Sequence, residues 1–288
     1  MNPLLPDQLK SLWKMVEAER ITPEHYETEH ERLIGEYKQV WTEALLLEGQ
    51  QELKNSLLAE VGMYVGCDDL AEIERRCQRG MDDVKAEWER SFRAGDLRSA
   101  EQFYDESRAY IYDLTWWHTL WYDYDLSPLA YVLALRFAKA HGCRYHLDFG
   151  AGAGAGSLLF ARHGFQIALA DISTSLLRFS KWRLDLRKIP AQLLNLKTDK
   201  LPEAAFDIIT AMDVFEHLVD PTGTIEALWR ALKPGGFLAG RFEPKTDTDY
   251  PQHIVADFEP TFRRMNELGL VEVWRDEWLW GHQVFQKT

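Results

Sequence analysis

A short run of glycines at the end of an apolar segment constrains the fold of this chain more than any other feature. Residues 147–154 read LDFGAGAG, and the next apolar run, residues 166–170, is followed by Asp171. This pattern predicts a buried strand that turns through glycines into a helix, then a second strand. Glycines at such a turn let the backbone approach a ligand, and a carboxylate after the next strand can hold ribose hydroxyls. The sequence therefore indicates an α/β fold with a nucleotide-like ligand at its strand ends.

The glycines alone do not decide which nucleotide is bound. Gly150, Gly152 and Ala155 satisfy the G-x-G-x-x-G/A spacing of dinucleotide-binding folds, so NAD stays open on that evidence. Asp148 argues against NAD, because a carboxylate in the tight turn would order the loop amides and meet an ammonium group, but would repel a pyrophosphate. The chain also lacks a Tyr-x-x-x-Lys motif. A nicotinamide-dependent oxidoreductase is therefore the less favoured alternative.

Further motifs follow in the carboxyl-terminal half. Leu201-Pro202 introduces a predicted strand with Phe206-Asp207, which leads into MDVFEHL at residues 212–218. LKPGG at residues 232–236 closes a helix, and residues 237–242 predict another strand. After a helix at residues 258–268, residues 271–274 and 278–286 predict a terminal pair of strands. Strands and helices therefore alternate through this half, as in α/β folds.

Together these motifs resemble those of class I S-adenosylmethionine-dependent methyltransferases, in the small-molecule branch that includes the ubiquinone-biosynthesis type. The resemblance covers residues 140–288 and depends on the order of four motifs: Asp148-x-Gly150-x-Gly152-x-Gly154, Asp171, Phe206-Asp207 to Glu216-His217-Leu218, and Lys233-Pro234-Gly235-Gly236. It implies a Rossmann-like, seven-stranded sheet with helices on both faces and an antiparallel last strand. It also implies S-adenosylmethionine as the cofactor.

The resemblance assigns roles to individual residues of the cofactor site. The glycine loop would pass under the methionine part, Asp171 would accept hydrogen bonds from both ribose hydroxyls, and Ile172 would pack on the adenine. Met212 and Asp213 would lie beside the methionine chain and the methyl group. Thr198 and Asp199 would make a polar contact to the adenine amino group. Asp199 stands two residues before Leu201, whereas three is the commoner spacing. The implied cofactor residues are Asp148, Gly150, Ala151, Gly152, Gly154, Asp171, Ile172, Thr198, Asp199, Met212 and Asp213.

The first 125 residues predict an all-α region that precedes the methyltransferase domain at residues 126–288. Thr22-Pro23-Glu24 predicts a helix start, with a capping oxygen, a preset φ and an acid near the positive end of the dipole. Apolar residues then recur at helical spacing as far as Leu47. Further helices are predicted at residues 69–92, 99–121 and 127–142. We expect this region to cap the cofactor site and to shape specificity.

Aromatic residues are far denser in residues 104–124 than the 12% of the whole chain. Most of them would bury one face of a helix against the sheet domain. The other aromatic residues are more than one buried stripe of a helix requires. They would line a cavity at the carboxyl ends of the strands, where their ring faces would suit a sulfonium cation. They also suggest an apolar or aromatic acceptor. The candidates for substrate or cofactor contact are Trp117, His118, Tyr122 and Tyr124.

The expected chemistry is an in-line displacement on an activated methyl group. The protein would align a nucleophile, exclude water and remove a proton where the nucleophile carries one. His217 and His253 are the candidate bases. As alternatives, His217 begins a loop and bonds to the backbone, and His253 belongs to a solvated surface loop at residues 247–253.

Composition narrows the partners and the compartment. A net charge of -13, without a cluster of Lys and Arg, argues against nucleic acid. The chain has no apolar run of 18 residues and no signal-peptide pattern, so we expect no membrane span and a cytoplasmic location. Cys67, Cys77 and Cys143 form no C-x-x-C pair and are expected to be reduced. The spacing of residues 141–146, with two histidines and a cysteine, is not that of a zinc site, so no metal is expected.

Two further alternatives stay open. The sequence does not distinguish a methyltransferase from a non-catalytic cofactor-binding or scaffold protein with the same fold, because methyl transfer needs no invariant catalytic side chain. A protein methyltransferase would use the acidic surface to attract a basic substrate. A homodimer through the amino-terminal helices is also expected, since Trp13, Trp41 and residues 45–47 exceed what an intramolecular core covers.

Overall fold

Helices form the amino-terminal half of the molecule, and strands alternate with helices in the other half. The computed structural model describes residues 3–93, 96–121, 125–244 and 250–288. The helices are α1 (Leu5–Glu17), α2 (Pro23–Leu45), α3 (Leu53–Val65), α4 (Leu70–Gln78), α5 (Gly80–Ser91), α6 (Leu97–Glu106), α7 (Ala109–His118), α8 (Ala130–Ala140), α9 (Ala155–Arg162), α10 (Thr174–Leu186), α11 (Pro221–Ala231) and α12 (Glu259–Glu267). The strands are β1 (Tyr145–Phe149), β2 (Gln166–Asp171), β3 (Gln192–Asn195), β4 (Phe206–Ala211), β5 (Leu232–Gly240), β6 (Leu270–Arg275) and β7 (Gln283–Lys287). Short 3₁₀ helices occupy Ser127–Leu129 and Phe215–His217.

The strands form one seven-stranded sheet in the order β3-β2-β1-β4-β5-β7-β6. The first five strands are parallel, and β7 is inserted antiparallel between β5 and β6. The strand order reverses between β2 and β4 around β1, so the carboxyl end of β1 opens at a topological switch point. This arrangement confirms the predicted seven-stranded sheet with an antiparallel last strand.

Alternating side chains of the strands pack into two cores on opposite faces of the sheet. In β2, Ile167 and Leu169 join one core, whereas Ala168 and Ala170 join the other. Helices α8 and α9 supply the first core, together with α1 and α2 of the amino-terminal half. Helices α11 and α12 cover the second face. Burial on both faces explains the nearly continuous apolar runs of these strands.

The amino-terminal region is helical as predicted, but its helices are shorter and more numerous than the periodicity indicates. The first predicted helix ends at Leu45, and α3 begins after a turn in which Gly49 has a φ of 84°. The second divides at Arg79, because Gly80 packs so closely on α7 that a Cβ there would lie 2.5 Å from Asp113 Cα. The third divides between Glu106 and Ala109. These breaks depend on tertiary packing, which helical spacing does not encode.

A buried ion cluster joins the amino-terminal helices to the sheet domain. Glu60 on α3 accepts hydrogen bonds from Arg183 Nε at 2.7 Å and from Arg187 Nη2 at 2.6 Å, both on α10. The three side chains are at most 2% exposed. Burial raises the pKa of Glu60, but the two guanidinium groups outweigh burial and hold its pKa below the usual range. Arg183 also donates to the carbonyl oxygen of Ala153, so the cluster reaches the glycine loop.

Two of the residues that suggested a dimer are already covered inside the chain. Trp41 and Leu45 are fully buried in the core between α2 and the sheet domain, whereas Trp13 is 36% exposed. The homodimer therefore stays a prediction that now depends on Trp13 and on the half-buried Leu46 and Leu47. Within the described ranges, no helix combines the length and the apolar character that a membrane crossing needs.

We expect Glu60→Gln to destabilise the protein strongly, because it leaves two buried guanidinium groups without a counter-charge. The free energy of unfolding should fall by about 3–5 kcal/mol in urea denaturation. Asp185→Asn is the matched control, since Asp185 pairs with Lys181 on the exposed face of α10 and should change stability by less than about 1 kcal/mol. Equal effects of the two substitutions would contradict the role of the buried cluster.

Candidate functional site

A cavity of about 1400 Å³ opens at the carboxyl ends of β1, β2 and β4. Its floor is the glycine loop after β1 and the residues that follow β2 and β4. Helices α6 and α7 supply the opposite wall, with side chains that include Tyr104, Tyr110, Leu114 and Trp117. The amino-terminal helices and the sheet therefore share one cavity.

The glycine loop has a backbone shape that side chains would disrupt. Gly150 and Gly152 have φ values of 67° and 51°, in the left-handed region that favours glycine. A Cβ on Gly150 would lie 2.5 Å from Val214 Cγ2, and one on Gly152 would lie 2.8 Å from Leu114 Cδ1. The loop is thus packed between β4 and α7, with Gly150, Ala151 and Gly152 on the cavity wall. Gly154, the N-cap of α9, does not line the cavity.

Asp171 is positioned to bind hydroxyl groups at the end of β2. One carboxylate oxygen accepts a hydrogen bond from the backbone N–H of Gly152 and the other from Ser173, both at 2.8 Å. Each oxygen retains a second lone pair, and the side chain lines the cavity. Burial raises the pKa of Asp171, opposed by these backbone donors. The residue therefore fixes the loop and can still accept two hydrogen bonds from a ligand.

Asp148 is buried in β1 behind the loop and does not line the cavity. Its carboxylate accepts hydrogen bonds from Ser157 Oγ at 2.8 Å, Thr210 Oγ1 at 3.2 Å and the Tyr131 hydroxyl at 3.3 Å. Asp148 was expected to order the loop amides, but the amide of Gly152 donates to Asp171 instead. Burial raises the pKa of Asp148 to about 7, although the hydroxyl donors lower it. Asp148 thus joins β1, β4, α8 and α9 beneath the cofactor loop.

The predicted adenine end of the site is less complete. Ile172 and Asp199 line the cavity, but Thr198 does not. The Asp199 carboxylate accepts hydrogen bonds from the backbone N–H of Asn195 at 2.8 Å and from the Thr198 hydroxyl at 3.2 Å. The pair therefore closes the turn after β3, and its contact with an adenine amino group stays a prediction.

Charged groups cluster after β4 and β5. Asp213, with a φ of 51°, forms an ion pair with Arg241 at 3.1 Å, and Arg241 also pairs with Glu243. Burial raises the pKa of Asp213, although Arg241 opposes the shift. Glu216 is 1% exposed, and burial, followed by the charge of Asp213, raises its pKa well above the usual range. Met212 and Asp213 both line the cavity beside these groups.

The two predicted histidines are neighbours, with ring centroids 4.8 Å apart. His217 Nδ1 lies 2.9 Å from the Tyr104 hydroxyl and 3.2 Å from the carbonyl oxygen of Gln252. Burial, with a contribution from His253, lowers the pKa of His217 to about 3, so its imidazole is neutral at pH 7. Glu216, His217 and His253 offer ligand atoms within 4.8 Å of one another, a set that could hold a metal ion.

The structure describes two of the four aromatic-segment candidates, Trp117 and His118. Trp117 lines the cavity, and its indole N–H donates to Asp125 Oδ2 at 3.1 Å. His118 also lines the cavity but is 4% exposed and packs edge-on against Trp41. Burial, followed by the charge of Arg183, lowers the pKa of His118 to about 3. Tyr122 and Tyr124 lie outside the described residues.

Several cavity residues were not selected from the sequence. Tyr104 and Tyr110 stand in the aromatic segment, and Glu216 stands in the EHL block, where each had a structural explanation. Asp113 is the acid between aromatic and apolar neighbours in α7, and Arg241 follows β5. An acid inside an apolar helix was an available signal, because such a residue is costly to bury without a function or a partner.

Comparisons with known proteins identify the class of the sheet domain. Residues 147–240 match a family model described as a methyltransferase domain. A ubiquinone biosynthesis O-methyltransferase of Idiomarina loihiensis is 34% identical over 94 residues, which are 31% of this chain and 38% of that protein. The enzyme of the same description from Paracidovorax citrulli is 29% identical over 132 residues, 43% of this chain and 54% of that protein. The chain thus spans about half, or less, of the length of these curated relatives.

A solved structure extends the similarity in fold. It is described as a SAM-dependent methyltransferase of Leishmania major, with a TM-score of 0.52 and 18% sequence identity. The alignment covers 70% of this chain and 90% of that one. Fold, motifs and comparisons agree on a class I S-adenosylmethionine-dependent methyltransferase domain. The family model and the curated relatives confirm the predicted class, and S-adenosylmethionine is the cofactor of this class.

Asp148→Asn should change how stability depends on pH. Native Asp148 keeps its proton to about pH 7, whereas an unfolded aspartate loses it near pH 4. The unfolded state therefore binds fewer protons between these values, and Asp148 makes the wild type less stable as pH rises. Relative to the wild type, the variant should gain about 1.4 kcal/mol in free energy of unfolding per pH unit from pH 5 to pH 7 in urea titrations.

Asp207→Asn is the control, because the pKa of Asp207 is shifted in the opposite direction from that of Asp148. Burial raises the pKa of Asp207, but Lys233 at 2.7 Å and two backbone N–H groups outweigh burial and hold it below the usual range. Asp207 stabilises the native state above pH 4, and this contribution is lost on acidification. The relative stability of Asp207→Asn should thus stay constant from pH 5 to pH 7. A parallel pH response of Asp148→Asn and the wild type would contradict the raised pKa of Asp148.

Proposed function

We propose that this protein transfers a methyl group from S-adenosylmethionine to a small organic acceptor with an apolar or aromatic body. The observation that carries the proposal is the single cavity in which the glycine loop, Asp171, the two histidines and the aromatic wall of α7 face one another. A cofactor and an acceptor both fit a cavity of about 1400 Å³, since typical ligand pockets measure roughly 300–1,000 Å³.

The fit of the cofactor is supported by the loop and by Asp171. The glycine backbone provides a wall without side chains, and Asp171 has an acceptor lone pair on each oxygen for the two ribose hydroxyls. Ile172 follows directly and offers an apolar surface to the adenine. Met212 and Asp213 lie across the cavity at the end of β4, beside the methionine part in this proposal.

Bound S-adenosylmethionine supplies a methyl group on a positively charged sulfur, which is already activated for displacement. The protein then has to hold the acceptor in line and keep water out. Leu114 packs on Gly152, and Trp117 lines the same wall, so α7 lies directly over the loop. We therefore propose that residues 1–125 act as a cap over the methyltransferase domain at residues 126–288 and determine which acceptor enters.

His253 and His217 are the proposed proton acceptors for a neutral nucleophile. Both line the cavity, and neutral imidazole is the form that accepts a proton. His217 has a pKa of about 3, which makes it a weak base, and its Nδ1 already contacts Tyr104 and Gln252. We place His253, which lines the cavity next to His217, as the proton acceptor and His217 as a positioning residue. The similarity to O-methyltransferases favours an acceptor of small-molecule size.

Asp171→Asn should weaken binding of S-adenosylmethionine and S-adenosylhomocysteine by roughly 10- to 100-fold, because it removes charge-assisted hydrogen bonds to the ribose. Isothermal titration calorimetry on the wild type, the variant and Asp185→Asn measures this loss, with NAD as a third ligand. The wild type and Asp185→Asn should bind the first two ligands equally well. Binding of NAD alone, or of none of the three, would reject the proposed function.

His253→Ala should lower kcat by about 10²–10⁴-fold with an acceptor that must lose a proton, since general base catalysis has this magnitude. His217→Ala should raise the KM of the acceptor more than it lowers kcat, because it acts through position. Both variants should bind S-adenosylhomocysteine like the wild type in calorimetry. An unchanged kcat in His253→Ala would remove His253 from the catalytic step.

A further inference from the structure

The part of the cavity between α7 and the 3₁₀ helix at Phe215–His217 carries polar groups that the proposed cofactor contacts do not use. Within the described part of the chain, Glu216 Oε2 is buried without a hydrogen-bond partner, and the Tyr110 hydroxyl is buried next to that of Tyr104. Glu216 and Tyr110 both line the cavity. A buried polar atom without a partner is costly, so such atoms at a cavity wall indicate the place of a ligand.

Asp113 adds a second carboxyl group to this region. It stands one helical turn after Tyr110 on α7 and lines the cavity. In the described ranges, neither Asp113 nor Glu216 forms a salt bridge, whereas Arg241 is already paired with Asp213 and Glu243. Burial raises the pKa of Asp113 to about 6. Two carboxyl groups are therefore held in a partly desolvated site without a salt-bridge partner, and the positive charge of Arg241 acts on Glu216 only from a greater distance.

The two carboxyl groups act on the same tyrosine. Burial and then the charge of Asp113 raise the pKa of Tyr110, the Tyr104 hydroxyl opposes the shift, and the charges of Asp171 and Glu216 add to it. The ring of Tyr110 stacks on that of Tyr104, with centroids 5.8 Å apart, and Tyr104 meets His217 edge-on at 5.7 Å. We name Tyr104, Tyr110, Asp113 and Glu216 the acid–tyrosine subsite. Its unpaired carboxyl groups and aromatic faces match the requirements of an organic cation.

We propose that the methyl acceptor is an organic amine, whose nitrogen binds at the acid–tyrosine subsite and receives the methyl group. This inference rests on the proposed function and names its acceptor. A protonated amine would donate hydrogen bonds to Glu216 and to the Tyr110 oxygen and would supply the missing counter-charge of Asp113. A phenol or a carboxylic acid of the same size would leave these charges unpaired.

The transfer step begins with the ammonium group at the subsite, which loses one proton to solvent. The freed lone pair of nitrogen forms a bond to the methyl carbon. The carbon–sulfur bond breaks, and its electron pair remains on sulfur as the neutral thioether of S-adenosylhomocysteine. The products are the methylated ammonium and S-adenosylhomocysteine.

Three probes with the same ring and nearly the same length test the inference: 2-phenylethylamine, 4-ethylphenol and 3-phenylpropionate. Calorimetry with the full chain, saturated with S-adenosylhomocysteine and with EDTA present, excludes a metal ion at Glu216, His217 and His253. The amine should bind at least about tenfold more tightly than the phenol or the carboxylate. With S-adenosylmethionine, mass spectrometry should detect the N-methylated amine.

Asp113→Asn and Glu216→Gln keep the shape of the subsite and remove its charges. Each should weaken amine binding by about tenfold or more and leave the affinity for S-adenosylhomocysteine within about twofold. Asp82→Asn and Glu89→Gln, exposed acids on α5, are the matched controls and should change neither affinity.

The outcomes separate this inference from the proposed function. If S-adenosylhomocysteine binds but the amine shows no preference over the other probes, or the preference survives both charge-removing variants, the amine inference is overturned and the methyltransferase stands. If neither S-adenosylhomocysteine nor S-adenosylmethionine binds to the wild type, the proposed function itself fails.

Discussion

Arg183 donates hydrogen bonds to Glu60 at 2.7 Å and to the carbonyl oxygen of Ala153 at 2.6 Å, and these two contacts join the halves of the molecule. Ala153 belongs to the glycine loop, and Ser180, one turn earlier on α10, donates to the carbonyl oxygen of Gly152. The left-handed turn of the loop is therefore held from behind by α10, which is itself anchored to α3. Because α7 covers the loop from the front, the cofactor wall depends on both halves of the chain.

Much of the sheet domain could be predicted from sequence because its signals are local. Strands buried on both faces read as apolar runs, glycines mark the turn after β1, and KPGG marks the passage from α11 to β5, although β5 begins at Leu232 rather than at the predicted residue 237. The carboxyl ends of parallel strands meet at one edge, so Gly152, Asp171 and Asp213 were expected to converge, and all three line the cavity. Helix breaks such as that at Arg79 could not be predicted, because Gly80 is required only by the approach of Asp113 on another helix.

The less predictable part of the site is where α7 faces the residues after β4. Tyr104 and His217 are 113 positions apart in the chain, yet their side chains are 2.9 Å apart. No periodicity relates such positions, so the aromatic segment could be assigned to a wall without knowing which rings would face the cavity. Asp148 shows the converse. Its place in the motif was evident from sequence, but its burial behind the loop, where hydroxyl groups hold it, depends on the packing of α8 and α9.

The charges of the cavity bear on the chemistry that it can favour. Acidic residues outnumber basic ones along the lining, and the basic Arg241 is already shared by Asp213 and Glu243. A sulfonium cofactor brings positive charge to such a cavity and leaves as a neutral thioether, so the acidic lining favours the reactant over the product. An amine acceptor still carries a positive charge after transfer, so less negative charge is left uncompensated when the sulfonium becomes neutral. A neutral acceptor that loses a proton would leave the carboxyl groups with less positive charge between them. Because α7 contributes to this charged wall, its position affects the choice of acceptor as well as the binding of the cofactor.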